Sequence, residues 1–249
     1  MRRYLMKRYM FAGILGLLLS ISCAFAADIT IVTEDWGPFN YIKDGKVTGL
    51  STEIILAAVK DAGLTAEIKV LPWSRAYDMA LKNKNVFIYT IVRTSEREKL
   101  FKWVGELMKD ENYFFKLKDR KDIKLAKLED AKVFKIGAVK DDVREQYLTG
   151  KKFKKLDIVS NDENNMNKLF LGRIDLMADN EFAMSFRAKQ LGLDFSRLEK
   201  TILIPELSEP LCFAASIATP DDIVKKLIAS LEKVKKGKEF AKIKAKYLN

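Results

Sequence analysis

The sequence predicts an α/β protein with two lobes, and three observations lead to this prediction. Runs rich in β-branched residues alternate with segments whose apolar residues recur at helical spacing. This alternation occurs in two series, each followed by an extended segment, near residues 107–121 and 202–218. A final amphipathic helix follows the second extended segment. Two αβ series joined by extended crossings predict two α/β lobes, with the last helix returning to the first lobe.

The first series predicts three strands and two helices. The strands are predicted at 28–33, 66–71 and 86–92, and the third is almost continuously apolar, as in strands that are buried on both faces. A hairpin is expected to turn at Asp44-Gly45. Ser51 or Thr52 is expected to cap a helix that ends at Gly63, and a second helix is predicted from Trp73 to Leu81.

The second series opens with a strand and closes before the long C-terminal helix. Its predicted elements are a strand at 133–139, a helix from about Asp142, a strand at 156–159, a helix at 163–171, a strand at 174–178 and a helix at 181–190. The last helix is predicted to begin after Pro220, because an apolar stripe with helical spacing follows this residue. The series thus supplies the elements of a second lobe.

The first 26 residues are predicted to be a cleaved signal peptide. Four basic residues precede an apolar run from Met10 to Ala27, and Ala24-Phe25-Ala26 has the small-x-small pattern of a signal-peptidase site. An uncleaved membrane anchor is the alternative, but this run is near the lower limit for spanning a bilayer. We therefore expect a periplasmic protein that is cleaved after Ala26.

The composition excludes several functional classes. The leader holds four of the 45 basic residues and none of the 34 acidic residues, so cleavage lowers the net charge from +11 to +7. The lysines are scattered over helix-like segments without an arginine–aromatic stripe, and we expect no nucleic-acid partner. The sequence has no histidine, and cleavage leaves Cys212 as the one cysteine. Ser-His-Asp and Cys-His catalytic sites and an intrachain disulfide are therefore excluded, and we expect no metal and no cofactor.

Seven segments of the chain carry a family resemblance through their order and spacing. They are Trp36–Tyr41, Gly49–Ile55, Leu71–Ala76, Arg93–Trp103, Lys135–Lys140, Gly172–Leu176 and Leu231–Lys238. In this order, behind a signal peptide, they resemble the extracellular solute-binding proteins of family 3, which serve ABC importers of polar amino acids. The resemblance covers essentially the whole mature chain, and it is much more specific for the fold than for the ligand.

This resemblance implies a two-lobed periplasmic binding protein (type II-like) in which each lobe is a mixed sheet flanked by helices. Lobe 1 would comprise residues 27–108 and 205–249, and lobe 2 residues 113–203. Extended hinge crossings are expected at about 106–112 and 204–209. The implied protein is a monomer that closes on a small polar, carboxylate-bearing solute without catalysis and delivers it to a membrane ABC permease.

Arg97 is the residue that the resemblance implicates most strongly in ligand binding. The family's arginine in the Thr-x-Glu-Arg segment makes a forked contact with the ligand carboxylate, and a planar guanidinium suits a carboxylate better than an ammonium does. The residues alone also allow a helix-end arginine paired with Glu96 or Glu98. As an exposed cleft side chain, Arg97 is expected to contribute little to the stability of the unliganded fold.

Further lobe 1 residues fall at family ligand positions. Trp36, Trp73 and Tyr89 match aromatic walls or pocket-lining residues, which provide apolar contact and cation–π attraction. On spacing alone, Trp73 is equally a core residue, because it begins a helix. Thr90 lies near the end of the third strand, and Arg93 is either a second anion contact or an exposed loop residue.

The lobe 2 half of the expected site departs from the family pattern. Lys140 and the turn Asp141-Asp142 occupy the place of a Gly-Thr/Ser loop whose N–H groups hold the ligand carboxylate. Aspartates are good helix caps, but their negative charge disfavours an anion beside them. The carboxylate contact of lobe 2 is therefore open.

The partners of a ligand amino group also depart from the family pattern. Amino-acid binders of the family have an aspartate where this chain has Thr33, and a second carboxylate where it has Asp179-Asn180. Glu34 or Asp179 can replace these carboxylates by a shift of one residue. If neither does so, the ligand need not be an α-amino acid.

Two alternatives to a transport binding protein remain at this stage. One is an enzyme on the same fold, similar to the cyclic-acid dehydratases, in which Glu34, Asp179 or Glu181 supplies acid–base chemistry. The other is a sensor that signals to a membrane kinase or cyclase, which the sequence does not distinguish from a transport protein.

Overall fold

The computed structural model describes residues 28–248, which form two five-stranded sheets with helices packed against them. The strands are β1 (Ile29–Thr33), β2 (Tyr41–Lys43), β3 (Lys46–Thr48), β4 (Ala66–Val70), β5 (Val86–Val92), β6 (Phe101–Met108), β7 (Asn112–Leu117), β8 (Ile136–Val139), β9 (Leu156–Val159), β10 (Leu176–Asn180), β11 (Leu198–Leu203) and β12 (Leu211–Ser216). The helices are α1 (Leu50–Asp61), α2 (Trp73–Lys82), α3 (Val143–Gly150), α4 (Asp162–Phe170), α5 (Glu181–Gln190), α6 (Asp221–Lys236) and α7 (Lys238–Leu248).

The first sheet, on which lobe 1 is built, has the strand order β4-β1-β5-β12-β6. Strands β4, β1 and β5 run parallel, and β12 is antiparallel to both β5 and β6. Every residue of β5 is buried, because this strand lies in the middle of the sheet with helices on its faces. The sheet is thus mixed, and its last strand in sequence occupies an interior position.

The second sheet, on which lobe 2 is built, has the strand order β11-β7-β10-β8-β9. Strands β10, β8 and β9 run parallel, and β7 is antiparallel to both β10 and β11. Helices α3, α4 and α5 connect these strands and pack against the sheet. Both sheets therefore have a parallel half and an antiparallel half.

The chain crosses between the two sheets twice. The first crossing runs from β6 to β7, and the second runs from β11 through a short 3-10 helix at Pro205–Leu207 to β12. Helix α6 then packs against α1 and β6 of the first sheet, which returns the C-terminus to lobe 1. The exact limits predicted for the lobes and hinge crossings stay a prediction.

Several element boundaries differ from the sequence prediction. Helix α1 begins at Leu50, so neither Ser51 nor Thr52 caps it; its N-terminal flank is Gly49, which has a φ of 120°. A β-carbon there would lie 2.4 Å from the carbonyl oxygen of Phe39, so the close approach of the two backbone segments requires glycine. The strand predicted at 133–139 starts only at Ile136, and a 3-10 helix precedes it.

Candidate functional site

The carboxyl ends of the parallel strands place the predicted site residues between the lobes. In lobe 1, β1 leads into Glu34, β4 into Trp73, and β5 into the loop that carries Arg97. In lobe 2, β8 leads into Asp142, and β9 leads into the start of α4. Parallel strands end at one edge of a sheet, where α/β proteins commonly bind ligands. The two edges meet at a cavity that is lined by both lobes.

This cleft cavity has a volume of about 20 Å³, which is room for about one water molecule. Its lining residues come from both lobes and from the first crossing: Glu34, Trp36, Trp73, Thr90, Val92, Arg97, Asp110, Asn112, Asp142, Val143, Arg144 and Leu211. Five of the predicted ligand residues are therefore brought together: Glu34, Trp36, Trp73, Thr90 and Arg97. An amino acid does not fit this volume, so a solute of that size requires the lobes to separate.

The guanidinium of Arg97 lies at the junction of the two lobes. Its Nη2 donates to the backbone carbonyl of Asp141 (3.2 Å) and to Oε1 of Gln146 (3.1 Å), both in lobe 2. Its Cζ lies 5.6 Å from the ring centroid of Trp73 and 5.0 Å from that of Tyr77. The side chain is 1% exposed, so the prediction that Arg97 is an exposed cleft arginine is wrong. Burial lowers the pKa of Arg97.

Three N–H donors converge on the carbonyl oxygen of Asp141. The indole Nε1 of Trp73 lies at 2.8 Å from this oxygen, and Arg97 Nη2 and Gln146 Nε2 both lie at 3.2 Å. Asp141 has a φ of 62°, the left-handed conformation that non-glycine residues rarely adopt. This conformation turns its carbonyl toward lobe 1. Donors from both lobes therefore bind one acceptor oxygen at this position.

Thr90 is held in a left-handed conformation on the lobe 1 wall of the cavity, with a φ of 57°. A β-branched residue in this region is strained, and such strain concentrates at functional sites. Its hydroxyl donates to the carbonyl of Tyr89 (2.5 Å) and lies 3.4 Å from the hydroxyl of Thr33. The pairing of β5 with β12 shifts register at this residue, and Thr90 lines the cavity.

Glu34 and Trp36 form the wall that follows β1. Glu34 is 8% exposed and lines the cavity. Burial, together with the charges of Asp142 and Asp162, raises the pKa of Glu34 well above its ordinary value. Trp36 packs against Phe39 with ring centroids 4.8 Å apart, and its Nε1 has no partner in the described part of the chain.

Arg144 forms the opposite wall and is the centre of a buried cluster of charges. Its Nε donates to Asp142 (2.6 Å), its Nη2 to Asp162 (2.8 Å) and its Nη1 to the carbonyl of Ala178 (3.1 Å). Its Nη1 also forms an ion pair with Asp179 at 3.0 Å. Burial opposes its charge, but the three aspartates raise the pKa of Arg144 well above its ordinary value. The charge of Asp142, which disfavours an anion in the sequence prediction, is thus paired within lobe 2.

A second arginine completes this cluster from α5. Arg187 donates to Asp179 at 2.6 Å and lies 3.6 Å from Asp162. Burial raises the pKa of Asp179 despite both arginines, whereas in Asp162 the charges of Arg144 and Arg187 outweigh burial and lower the pKa. The lobe 2 wall is therefore a rigid, internally paired network.

Asp110 brings a further carboxylate to the cavity from the first crossing. Its two oxygens accept from Nδ2 of Asn112 (2.6 Å) and Nδ2 of Asn180 (2.7 Å). Burial and the charge of Asp179 raise the pKa of Asp110 to about 7. Asn180 also caps α5 by accepting from the amide of Phe182 at 2.8 Å, so this carboxylate is tied to lobe 2.

Four of the predicted ligand residues lie outside the cavity lining. The hydroxyl of Tyr89 bonds that of Thr52 (2.8 Å) inside lobe 1, because the side chain points into the sheet–helix interface. Lys140 is exposed. Asp179 is fully buried against the two arginines of the charge cluster, and Asn180 binds Asp110. Asp179 therefore has no open position for a ligand amino group, whereas Glu34 does.

The sequence analysis missed Arg144, Arg187, Asp110 and Asn112. On the sequence, Arg144 and Arg187 lie in amphipathic helices and read as solvated charges; only the packing of the lobe buries them. Asp110 and Asn112 stand in a charged extended segment without a motif. A carboxylate and an amide two residues apart in a predicted hinge are the one sequence signal that marks this position.

Aromatic contacts hold the lobes together beside the cavity. Phe186 of α5 packs edge-on against Tyr41 of lobe 1, with ring centroids 4.7 Å apart. A β-carbon on Gly37 would lie 2.1 Å from Cε1 of Phe186, so closure at this point requires glycine. A wider groove of about 890 Å³ opens on another side, between the loop 93–96, α3 and the second crossing. The structure is thus a closed form in which the groove beside the cavity remains open.

The comparison with family models is decisive for the class of protein. A model described as bacterial extracellular solute-binding proteins, family 3, matches residues 29–249. The chain belongs to this family. Its members are extracellular solute-binding proteins, and the match spans both sheets, both crossings and the cleft.

Solved structures support the same fold for this family 3 protein. A histidine kinase sensor domain with similarity to periplasmic binding proteins has a TM-score of 0.80 at 18% identity and covers 89% of this chain and 96% of that chain. An ancestral arginine-binding protein bound to arginine has a TM-score of 0.77 at 21% identity and covers 89% of this chain and 98% of that chain. The substrate binding protein of an amino acid ABC transporter has a TM-score of 0.74 at 18% identity and covers 88% of this chain and 98% of that chain. A comparison with curated sequences gives no match.

These similarities confirm the predicted two-lobed α/β fold and the family resemblance. The predicted signal peptide and its cleavage site lie outside the described residues. Between residues 28 and 248, none of the helices has the length and apolar character needed to cross a bilayer.

Proposed function

We propose that this family 3 protein is a monomeric periplasmic solute-binding protein that captures a small polar, carboxylate-bearing solute, an amino acid or a similar compound, for a membrane ABC importer. The solute binds between the lobes and is released unchanged. The leader is removed after Ala26 on export, and the lobes separate to admit the solute.

One observation carries this proposal, the convergence of donors from Trp73, Arg97 and Gln146 on one acceptor oxygen. A buried position at which three N–H donors converge is the environment that a carboxylate oxygen prefers. In the closed form, the carbonyl of Asp141 occupies this position. When the lobes separate, Asp141 moves away with lobe 2 and leaves Arg97 and Trp73 to the solute.

The first experiment is a thermal-shift screen of the exported chain against amino acids and small organic acids. A solute present at a hundredfold excess over its dissociation constant stabilises the folded state by about 2.7 kcal/mol, which is easily measured. The best compound is then titrated by calorimetry into the wild type, Arg97→Ala and Arg97→Lys.

Removal of Arg97 should weaken binding of a carboxylate by about 30-fold to several-thousand-fold, because a buried carboxylate loses a charge-assisted partner. Arg97→Lys should recover only part of this loss, since an ammonium cannot form the fork. Arg75→Ala is the matched control, because Arg75 is exposed on α2 and does not line the cavity. Equal affinities of the wild type and Arg97→Ala would refute the assignment of Arg97, and recovery of a chemically altered solute would refute the absence of catalysis.

A further inference from the structure

The excess positive charge of the protein is concentrated in its two C-terminal helices, α6 and α7. Without the four basic residues of the leader, the total of 45 basic residues becomes 41, against 34 acidic residues. Residues 225–246 hold nine of these basic residues, all of them lysines, and only two acidic residues. The remaining sequence therefore has 32 residues of each sign and is neutral in sum. Lysines occur on many helices, but their excess over carboxylates lies on this pair.

The nine lysines lie on the outer side of the helix pair, because lobe 1 covers the apolar side. Leu227, Leu231 and Val234 of α6 and Ile243 of α7 are each at most 8% exposed. Both helices pack against α1 and against each other, and α6 also packs against β6. Eight of the nine lysines are exposed, and the ninth is half-buried. Together they form a basic face: Lys225, Lys226, Lys233, Lys235, Lys236, Lys238, Lys242, Lys244 and Lys246.

Carboxylates neutralise only part of the basic face. Three of its lysines form ion pairs, which are Lys233–Asp61, Lys236–Glu232 and Lys246–Glu53. Among residues 28–248, no carboxylate lies within 4.0 Å of the ammonium groups of the other six: Lys225, Lys226, Lys235, Lys238, Lys242 and Lys244. Like charges four residues apart on a helix, such as Lys238 and Lys242, repel each other. An anionic surface beside the helices would relieve this repulsion.

The composition of the basic face favours a fluid anionic surface over a partner of fixed shape. The face has no arginine, the residue that forms forked contacts with fixed groups, whereas a lysine ammonium is a hydrated point charge on a flexible stem. Protein interfaces depend on buried aromatic and arginine anchors, but the exposed large apolar side chains between residues 225 and 246 are limited to Ile228, at 36%. Clusters of about four to eight lysines on an amphipathic helix are typical of binding to anionic lipids.

We propose that the basic face of α6 and α7 docks on the surface of a membrane that contains anionic phospholipids. The contact is with the headgroups, since the apolar stripe of α6 is buried in lobe 1 and is not free to insert. No residue of either helix lines the cleft cavity or the groove beside it, so docking leaves the solute site accessible. This inference goes beyond the proposed function and does not depend on the solute. Docking would hold the binding protein close to a membrane permease.

The test is cosedimentation of the exported chain with large unilamellar vesicles. Vesicles of phosphatidylcholine with about a quarter of phosphatidylglycerol should bind the protein, and vesicles of phosphatidylcholine alone should not. Because salt screens the attraction between exposed charges, binding should fall at least about tenfold between about 20 mM and about 300 mM NaCl. Equal binding to the two kinds of vesicle, or binding that does not respond to salt, would overturn the proposal.

A quadruple variant locates the binding surface. It carries Lys225→Gln, Lys226→Gln, Lys242→Gln and Lys244→Gln. Each lysine near an anionic surface strengthens binding by about fivefold at low salt, so this variant should bind at least about a hundredfold more weakly than the wild type.

The matched control removes four exposed lysines of lobe 2 and has the same net charge as the first variant. It carries Lys118→Gln, Lys121→Gln, Lys124→Gln and Lys189→Gln. Charges far from the docked face are screened, so the control should lose less than about threefold. Equal losses in the two variants would mean that total charge rather than the basic face binds the vesicles, and would overturn the proposal.

Further measurements separate a lipid surface from a protein partner and from misfolding. The first variant should keep the thermal unfolding and solute affinity of the wild type, because the replaced residues are exposed and lie outside the cleft. Native membrane vesicles and protein-free vesicles of their extracted lipids should bind the wild type equally. Binding to the native vesicles alone would assign the basic face to a membrane protein and refute lipid docking. The solute-binding function would stand in that case, because the thermal-shift screen tests it separately.

Discussion

Replacing Arg144 with methionine should destabilise the protein by about 3–5 kcal/mol at pH 7, because it leaves buried carboxylates without their main partner. Three aspartates lie within 3.0 Å of its guanidinium nitrogens, and each of these aspartates is at most 6% exposed. Methionine has a similar volume, so the loss reflects charge more than packing. For a protein of this size the loss corresponds to a fall in Tm of roughly 6–20 °C.

The pH dependence of this loss separates charge from packing. In the wild type, the arginines hold the pKa of Asp162 below its ordinary value, so its contribution to stability is present above pH 4 and is lost as the pH falls further. In Arg144→Met, the pKa values of the aspartates should rise above their unfolded values. Their unfavourable contribution then grows with pH, so the variant should lose less stability at pH 5 than at pH 8.

Urea unfolding of the wild type, Arg144→Met and Arg173→Met at pH 5 and pH 8 measures both effects. Arg173 is exposed after α4, and its replacement should change the free energy of unfolding by less than about 0.5 kcal/mol. Adding Asp162→Asn to Arg144→Met should restore part of the stability, because one unpaired charge is removed. A loss below about 1 kcal/mol, or the same loss at both pH values, would refute this account of the cluster.

Three further perturbations test other features of the structure. Lys152→Gly should raise the free energy of unfolding by about 1 kcal/mol, because Lys152 has a φ of 64° after α3 and glycine adopts this conformation more easily. The control Lys154→Gly lies outside that turn and should not raise the temperature of thermal unfolding. Gly37→Ala should lower the free energy of unfolding by about 1–3 kcal/mol, because the added methyl group overpacks against the ring of Phe186 across the cleft. It should also increase the radius of gyration in scattering experiments, whereas Gly150→Ala, which has open space, should not. An unchanged radius would contradict the closing contact. Asp110→Asn should flatten the pH dependence of stability between pH 5 and pH 8. The pKa of Asp110 is raised to about 7, so the wild type loses stability as the pH rises through this range. Parallel pH profiles of the wild type and the variant would show that Asp110 does not cause this loss.

The elements that sequence reasoning located are those with a local signal. The position of β5 follows from its continuously apolar run alone. Strand β6 was not separated from the loop before it, because it pairs with β12, about 100 residues later, and such pairing has no local signature. The break between α6 and α7 at Gly237 was also missed, since the apolar stripe continues across it.

The residues of the candidate site fall into the same two groups, those with a local sequence signal and those without one. Glu34, Trp73 and Arg97 stand next to the carboxyl ends of recognisable strands, so motif position was sufficient to bring them to the cleft. Arg144 and Asp110 acquire their role only through burial, which depends on the packing of α3 and the first crossing between the lobes. The exposed state predicted for Arg97 was wrong for the same reason, because the closed lobe 2 covers it.

The interior position of β12 determines when lobe 1 can be completed during synthesis. All five strands of the second sheet come from one continuous stretch, 112–203, whereas the first sheet needs a strand that is made after all of them. Until Leu211–Ser216 is available, β5 and β6 lack the partner that joins them, so lobe 2 can form while lobe 1 waits. Because closing a loop of about 100 residues costs little more than closing a shorter one, this delay slows folding without weakening the folded state. A nascent chain therefore remains incompletely folded until nearly its whole length has been made.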